Sequence, residues 1–112
     1  MNATEPLQPP NTLGEAGREF WRAVVERFDL EAVDLPLLVG ACEMLDRAAA
    51  ARRQVALEGA VVVDRFGQPK EHAAAAVERQ SWLTFAKLRR ELNVDSVPAP
   101  SESRPPLRAA YR

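Results

Sequence analysis

The fold is decided by LPLLVGACEMLDRAAAARRQVALEG (residues 35–59), AVVVDRFGQPKEH (residues 60–72) and AAAAVERQSWLTFAKLRREL (residues 73–92). In the first and third segments, apolar and small residues recur every three or four positions, which is the period of one helix face. The β-branched run Val61–Val63, the turn around Gly67 and the edge-strand residue Pro69 predict a short hairpin between them. Gly59 supplies the stop that a helix C-terminus prefers. The stretch therefore predicts two long helices joined by a β-hairpin at residues 60–70.

A shorter helix is predicted in front of this stretch. Thr12 and Glu15 have the spacing of a capping box, and an aromatic and aliphatic stripe follows them. We interpret this stripe, rather than a cofactor or base-stacking site, as a packing face: Phe20, Trp21, Val24, Val25 and Phe28. Asp34 is the expected N-cap of the second helix, with Pro36 in its first turn. The predicted fold class is mainly α, with three helices and a small β-hairpin between the second and third.

The two ends of the chain are rich in proline and polar residues, so they are expected to be flexible. The predicted organisation is an N-terminal arm at 1–11, a helical oligomerisation domain at 12–94, and a disordered partner-binding tail at 95–112. A chain of 112 residues buries only about 60–65% of its unfolded surface, so a lone protomer would be marginally stable. We therefore expect each protomer to bury further apolar surface against other copies of the chain, and we predict that the copies form a ring.

Charge and cysteine content limit the classes of protein to which this chain can belong. The net charge is −1, which gives no global signal for nucleic acid, although residues 1–59 carry −4 and residues 72–112 carry +3. The single cysteine, Cys42, excludes an intramolecular disulfide and lies on the apolar face of the second helix, where we expect a buried thiol. We expect no signal peptide at the start of the chain, and no apolar run approaches the ~20 residues of a membrane span. A soluble intracellular protein is expected.

No residue pattern points to catalysis. The chain has no glycine-rich phosphate loop, zinc-ligand cluster or nucleophile motif. Its one histidine, His72, is expected to begin the third helix, since no nucleophile or orienting partner is signalled near it. We therefore predict that the protein is not an enzyme and uses no cofactor or metal.

The order of these parts resembles the short, hairpin-containing small subunits of bacteriophage terminases, over about residues 12–95. Leu13-Gly-Glu-Ala-Gly-Arg-Glu-Phe-Trp21 is similar to the opening of the family's first helix, and Leu35–Arg53 is similar to its second. The glycines, the valine run and His72 resemble the hairpin and the start of the third helix. Two departures are Gly14, where the family has Ser or Thr, and Ala73, where it has proline.

This resemblance implies a role in packaging the genomes of phages, prophages or gene transfer agents. Small subunits of this kind form homo-oligomeric rings, engage viral DNA and recruit it to the large subunit, which carries the ATPase and nuclease. The expected partners are double-stranded DNA, bound weakly and mainly through phosphate, and the terminase large subunit. The expected location is the cytoplasm of the bacterial host.

Three sets of residues are the candidates for these contacts. The DNA-binding candidates, with Arg18 and Arg22 next in line, are Arg52, Arg53, Lys87, Arg89 and Arg90. The oligomer-interface candidates are Val61, Val62, Val63, Trp82, Phe85 and Leu88. The large-subunit-binding candidates, at the end of the tail, are Leu107, Arg108, Tyr111 and Arg112. A second hypothesis stays open: a non-enzymatic helical adaptor that binds only protein, which would show neither a large homo-oligomer nor salt-sensitive DNA affinity.

Overall fold

The computed structural model describes residues 7–94, and it is mainly helical. It contains α1 (Glu15–Arg27), a short 3-10 turn (Ala32–Asp34), α2 (Leu35–Glu58), β1 (Val61–Val63), β2 (Pro69–Glu71) and α3 (Ala73–Leu92). The predicted three helices with a hairpin between the second and third are confirmed. The candidates in the C-terminal tail, Leu107, Arg108, Tyr111 and Arg112, lie outside the described residues.

Helices α2 and α3 form a long antiparallel pair, and α1 packs against one end of it. Ten buried residues make the hydrophobic core at that end: Leu13, Trp21, Val24, Val25, Phe28, Leu38, Ala41, Cys42, Phe85 and Leu92. Closer to the hairpin, the buried positions of the two helices are small: Ala48, Ala51, Ala74 and Ser81. Because small side chains bury little apolar area, the hairpin half of the pair gains less from packing than the α1 half.

The start of α1 differs from the prediction. The N-cap is Gly14, which makes no side-chain cap, and Thr12 is exposed, so the predicted capping box of Thr12 and Glu15 is wrong. Asp46, in the middle of α2, replaces it. Its Oδ2 accepts the N–H of Gly14 at 2.7 Å and its Oδ1 accepts the N–H of Gly17 at 2.8 Å. A carboxylate at a helix N-terminus also stabilises the helix dipole.

The residues before α1 lie against it over the part that the structure describes. The indole N–H of Trp21 donates to the carbonyl of Leu7 at 3.2 Å, and the N–H of Leu13 donates to the carbonyl of Pro10 at 3.2 Å. Leu7 of the predicted arm therefore contacts α1, and Pro10 is hydrogen-bonded to the residues that lead into it.

Asp34 is the N-cap residue of α2, as predicted, but its side chain makes no hydrogen bond to that helix. Its Oδ2 instead accepts the N–H of Glu31 at 3.1 Å within the 3-10 turn. Pro36 lies in the first turn of α2 as predicted. At the other end, Gly59 has φ +90° and its N–H donates to the carbonyl of Val55 at 2.7 Å. Such a φ favours glycine, which explains why α2 ends there.

The hairpin has a defined register and a well-ordered turn. Val61, Val62 and Val63 oppose Glu71, Lys70 and Pro69. Asp64 organises the turn, because its Oδ1 accepts the N–H groups of Phe66 at 2.8 Å and Gln68 at 2.9 Å. The chain then enters α3 at Ala73 and leaves it at Asn93, a left-handed C-cap with φ 57°, as the sequence predicts.

Candidate functional site

The predicted DNA-binding residues fall into two separate clusters. Arg52 and Arg53 are exposed near the hairpin end of α2. The Nη1 of Arg52 lies 3.2 Å from the Oε2 of Glu78 on α3, so part of its charge is compensated. Arg53 instead lines a shallow polar depression of about 270 Å³ beside Asp46 and the start of α1.

The second cluster lies at the other end of α3. Lys87, Arg89 and Arg90 are all exposed, and the last two belong to the final turn, where cations complement the helix dipole. Lys87 follows Glu78 by nine residues, which corresponds to ~13 Å along the helix axis. The structure therefore does not bring all five candidates into one patch on a single protomer.

The predicted interface residues differ widely in exposure. Phe85 is only 8% exposed and belongs to the core, and its ring lies edge-on to Phe20 at 5.1 Å between centroids. Leu88 is half-buried. It lies where α3 passes Gly40 of α2: a Cβ built on Gly40 would be 3.4 Å from the Cδ1 of Leu88. Val62 is also half-buried. A partner could reach the remaining three candidates directly: Val61, Val63 and Trp82, which are 62, 69 and 48% exposed.

Trp82 connects the core to the surface on the α1 side of the helix pair. Its ring lies edge-on to Phe85 with 5.9 Å between centroids, and Phe85 in turn meets Phe20 of α1. Such edge-to-face pairs each contribute about 0.5–1.5 kcal/mol beyond the area they bury. The indole is thus held in place by the core while half of it faces solvent.

The opposite face of the helix pair carries an open groove of about 320 Å³. It runs between α2 and α3 close to the hairpin and is lined by Arg47, Ala50, Ala51, Gln54, His72, Ala73, Ala74 and Val77. On α2, Asp46 and Ala49 face α1, whereas the next residues, Arg47 and Ala50, line the groove. Alanine side chains leave room for a large side chain from elsewhere.

His72 joins the hairpin to both long helices. Its Nδ1 accepts the N–H of Ala74 at 2.9 Å, which makes His72 the side-chain cap of α3. Its Nε2 lies 2.7 Å from the Oε1 of Glu58. An Nδ1 that accepts cannot carry a proton, so in the neutral ring Nε2 carries it and donates to Glu58. This confirms the expectation that His72 begins the third helix.

Two carboxylates, those of Glu58 and Glu71, accept hydrogen bonds that connect the hairpin to α2 and α3. The hydrogen bonds from His72 and Gln54 lower the pKa of Glu58. Glu71 accepts from Arg79 twice, at 2.7 and 3.1 Å, and this pairing lowers the pKa of the Glu71 carboxyl. Both carboxylates are at least partly exposed to solvent, so each link is individually weak.

Cys42 is buried as predicted. Burial, followed by the nearby charges of Asp46 and Glu43, raises the pKa of its thiol to about 12. Within residues 7–94, no group of three or more His, Cys, Asp or Glu side chains is arranged to hold a metal ion. In the same residues, no helix combines the length and apolarity that crossing a bilayer requires.

Comparison with family models, curated proteins and solved structures finds no match for this chain.

Sequence reasoning missed several residues that the structure brings to attention. Phe66, at the tip of the hairpin, is 73% exposed, and Leu57, at the end of α2, is 85% exposed. Arg65 lies over the Phe66 ring, with 5.0 Å from its guanidinium carbon to the ring centroid. The sequence does contain a signal for them: Phe66 lies in a turn, and a turn by itself does not require an aromatic residue.

Proposed function

We propose that this chain is a terminase small subunit: a non-enzymatic, ring-forming protein that engages viral or gene-transfer-agent DNA and recruits it to the large ATPase and nuclease subunit. Such a protein works in the cytoplasm of the bacterial host. The ordered set of sequence motifs across residues 12–95 supports the proposal. The structural observation that carries it is the position of Trp82 and the alanine-lined groove on opposite faces of the α2–α3 pair.

This arrangement favours head-to-tail assembly. A knob on one face and a groove on the other form a heterologous contact, in which each copy offers a different surface to each neighbour. Such contacts close into rings when the rotation between copies allows it. The hairpin half of each protomer, whose buried positions are alanine and serine, would gain from a neighbour the burial that it lacks alone.

The same arrangement would let a chain of nearly neutral charge bind DNA. One protomer offers two small cationic clusters, Arg52 with Arg53 and Lys87 with Arg89 and Arg90. A ring repeats both clusters at every subunit, so that weak phosphate contacts add up through multivalency. Affinity should then fall steeply with salt and depend little on DNA sequence.

The assembly part of the proposal is tested with two complementary variants. Trp82→Glu removes the knob and keeps the groove, whereas Ala50→Glu blocks the groove and keeps the knob. Native mass spectrometry should give one closed oligomer for the wild type and monomers for each variant alone. An equimolar mixture should give heterodimers only, because each pair then shares one intact contact. Dissociation without recovery in the mixture would contradict head-to-tail packing.

The DNA part is tested by replacing Lys87, Arg89 and Arg90 together with alanine. DNA affinity should drop and its salt dependence should flatten, while the oligomer mass stays unchanged. The variant Gln80→Ala, which changes an exposed uncharged side chain of α3, is the control and should bind as the wild type does. Unchanged binding by the triple variant would move the contact elsewhere, with Arg18 and Arg22 as the next candidates. A wild-type protein that is monomeric and does not bind DNA would instead be the helical adaptor of the second hypothesis.

Recruitment of the large subunit is proposed for the tail, at Leu107, Arg108, Tyr111 and Arg112. Removing residues 96–112 should leave the oligomer intact and abolish co-purification with the large subunit. Equal binding by the truncated oligomer would place that contact in the helical domain.

A further inference from the structure

The hairpin turn carries charges that its own protomer leaves uncompensated. Residues 60–71 hold two acidic and two basic side chains. The acids are engaged internally: Asp64 accepts two backbone N–H groups, and Glu71 pairs with Arg79. Among the described residues 7–94, neither Arg65 nor Lys70 forms a salt bridge. The hairpin therefore presents two cations to solvent.

An exposed aromatic ring accompanies these cations. Phe66 is 73% exposed, and the guanidinium of Arg65 stacks on it at 5.0 Å. A phenylalanine whose ring stays in water contributes little to the stability of its own protomer. Proteins that bind duplex DNA combine cationic side chains, which contact phosphates, with apolar side chains that enter a groove and contact the bases.

The turn is also rigid, which matters for binding. The N–H of Gly67 donates to the carbonyl of Asp64 at 3.0 Å, and that of Asp64 donates to the carbonyl of Gln68 at 2.9 Å. With the two side-chain hydrogen bonds of Asp64, these contacts fix the loop before any partner arrives. A preorganised loop loses less conformational entropy on binding.

From these observations we infer that the hairpin turn is a DNA-contacting element, in which Arg65 and Lys70 bind backbone phosphates and Phe66 packs against the sugars and base edges of a groove. A two-stranded ribbon has the dimensions to approach a DNA groove. This inference rests on the proposed function, and it adds a contact that is distinct from the clusters on α2 and α3. The hairpin lies at the end of the helix pair, where α1 does not cover it, so a duplex can reach it.

The test measures DNA affinity of the full-length protein over a range of salt concentrations, with a random-sequence duplex as the probe. Arg65→Ala/Lys70→Ala should reduce the slope of log affinity against log salt by about 0.9 for each phosphate that the protein no longer neutralises. Phe66→Ala should lower affinity about tenfold, because the ring loses its burial in the groove, and should leave the slope unchanged, because the ring is uncharged. Gln68→Ala, which changes an uncharged side chain of the same turn, is the matched control and should bind normally.

Three outcomes would overturn the inference, and they are distinguishable. Wild-type DNA binding that none of the hairpin variants alters would remove the hairpin from the interface and leave the proposed function standing. A change in oligomer mass with no change in affinity per ring would make the turn a contact between copies. If the wild type bound no DNA even at low salt, the proposed function and this inference would fail together.

Discussion

Gly17, near the start of α1, donates its backbone N–H to Asp46 of α2 at 2.8 Å, across 29 positions of sequence. The same carboxylate accepts the N–H of Gly14 at 2.7 Å. One side chain thus caps the first helix and fixes it on the second. The contact leaves no room for a side chain at position 17, since a Cβ on Gly17 would lie 2.5 Å from Asp46 Oδ2 and 2.9 Å from the carbonyl oxygen of Cys42.

The first prediction concerns this cap. Asp46→Ala leaves two backbone N–H groups without their acceptor and should lower the free energy of unfolding by about 2 kcal/mol. Asp46→Asn keeps one acceptor oxygen and should lose about half as much. Urea denaturation at fixed protein concentration measures both. Equal stability of Asp46→Ala and the wild type would mean that the cap contributes nothing.

The second prediction compares two glycines of the helical core. Gly17→Ala places a methyl group against backbone and carboxylate, so it should destabilise the protein by about 2 kcal/mol. Gly40→Ala, in the interior of α2, meets only Leu88 Cδ1 at 3.4 Å and should stabilise by up to about 0.5–1 kcal/mol through helix propensity. The same substitution should therefore lower the free energy of unfolding at Gly17 and raise it at Gly40. Thermal unfolding of both variants measures the two changes. A stabilising Gly17→Ala would show that α1 can move away from α2.

These contacts explain how far the sequence could predict the fold. The ends of α2 and α3 are set by local residues, Gly59 and Asn93, which accept positive φ, so their positions could be predicted. The cap of α1 could not, because the local pair Thr12 and Glu15 competes with a carboxylate that only tertiary packing brings near. A local motif loses when a distant group satisfies the same N–H donors.

The candidate site was predictable to a smaller extent. A three-four spacing places Trp82 and Phe85 near one face of α3, but it does not determine which of them α1 covers. Packing against Phe20 buries Phe85 and leaves Trp82 half-exposed. Similarly, the pairing of Arg52 with Glu78 is a contact between two helices, so the sequence alone could not reveal that this candidate cation is partly compensated.

The third prediction concerns the reactivity of Cys42. Because burial and the charges of Asp46 and Glu43 raise the pKa of the thiol to about 12, almost no thiolate forms at neutral pH. Iodoacetamide should therefore leave the native protein unlabelled and modify it fully in denaturant, as intact mass spectrometry would show. Rapid labelling under native conditions would mean that α1 opens away from α2 frequently.

The fourth prediction concerns acid. The hydrogen bonds from His72 and Gln54 hold the pKa of Glu58 below its ordinary value of 4.5, and Arg79 does the same for the pKa of Glu71. A carboxyl group whose pKa is lower in the folded than in the unfolded state contributes stability above its unfolded pKa. That contribution is lost as the pH falls through the folded pKa. The two links should therefore weaken together below a pH of about 4.5, and because they anchor the hairpin, its amides should lose protection before those of the core.

Hydrogen exchange of the Ala60–His72 segment between neutral and acidic pH measures this loss. The variant Glu58→Gln/Glu71→Gln has the same shape without the charges, so its hairpin should be less protected at neutral pH and should change less on acidification. Glu26→Gln, which removes an exposed carboxylate from α1, is the matched control and should follow the wild type. The effect should be modest, since solvent screens both carboxylates. If the wild-type hairpin and the double variant responded to acid equally, these two charged links would not be what fastens the hairpin to the helices.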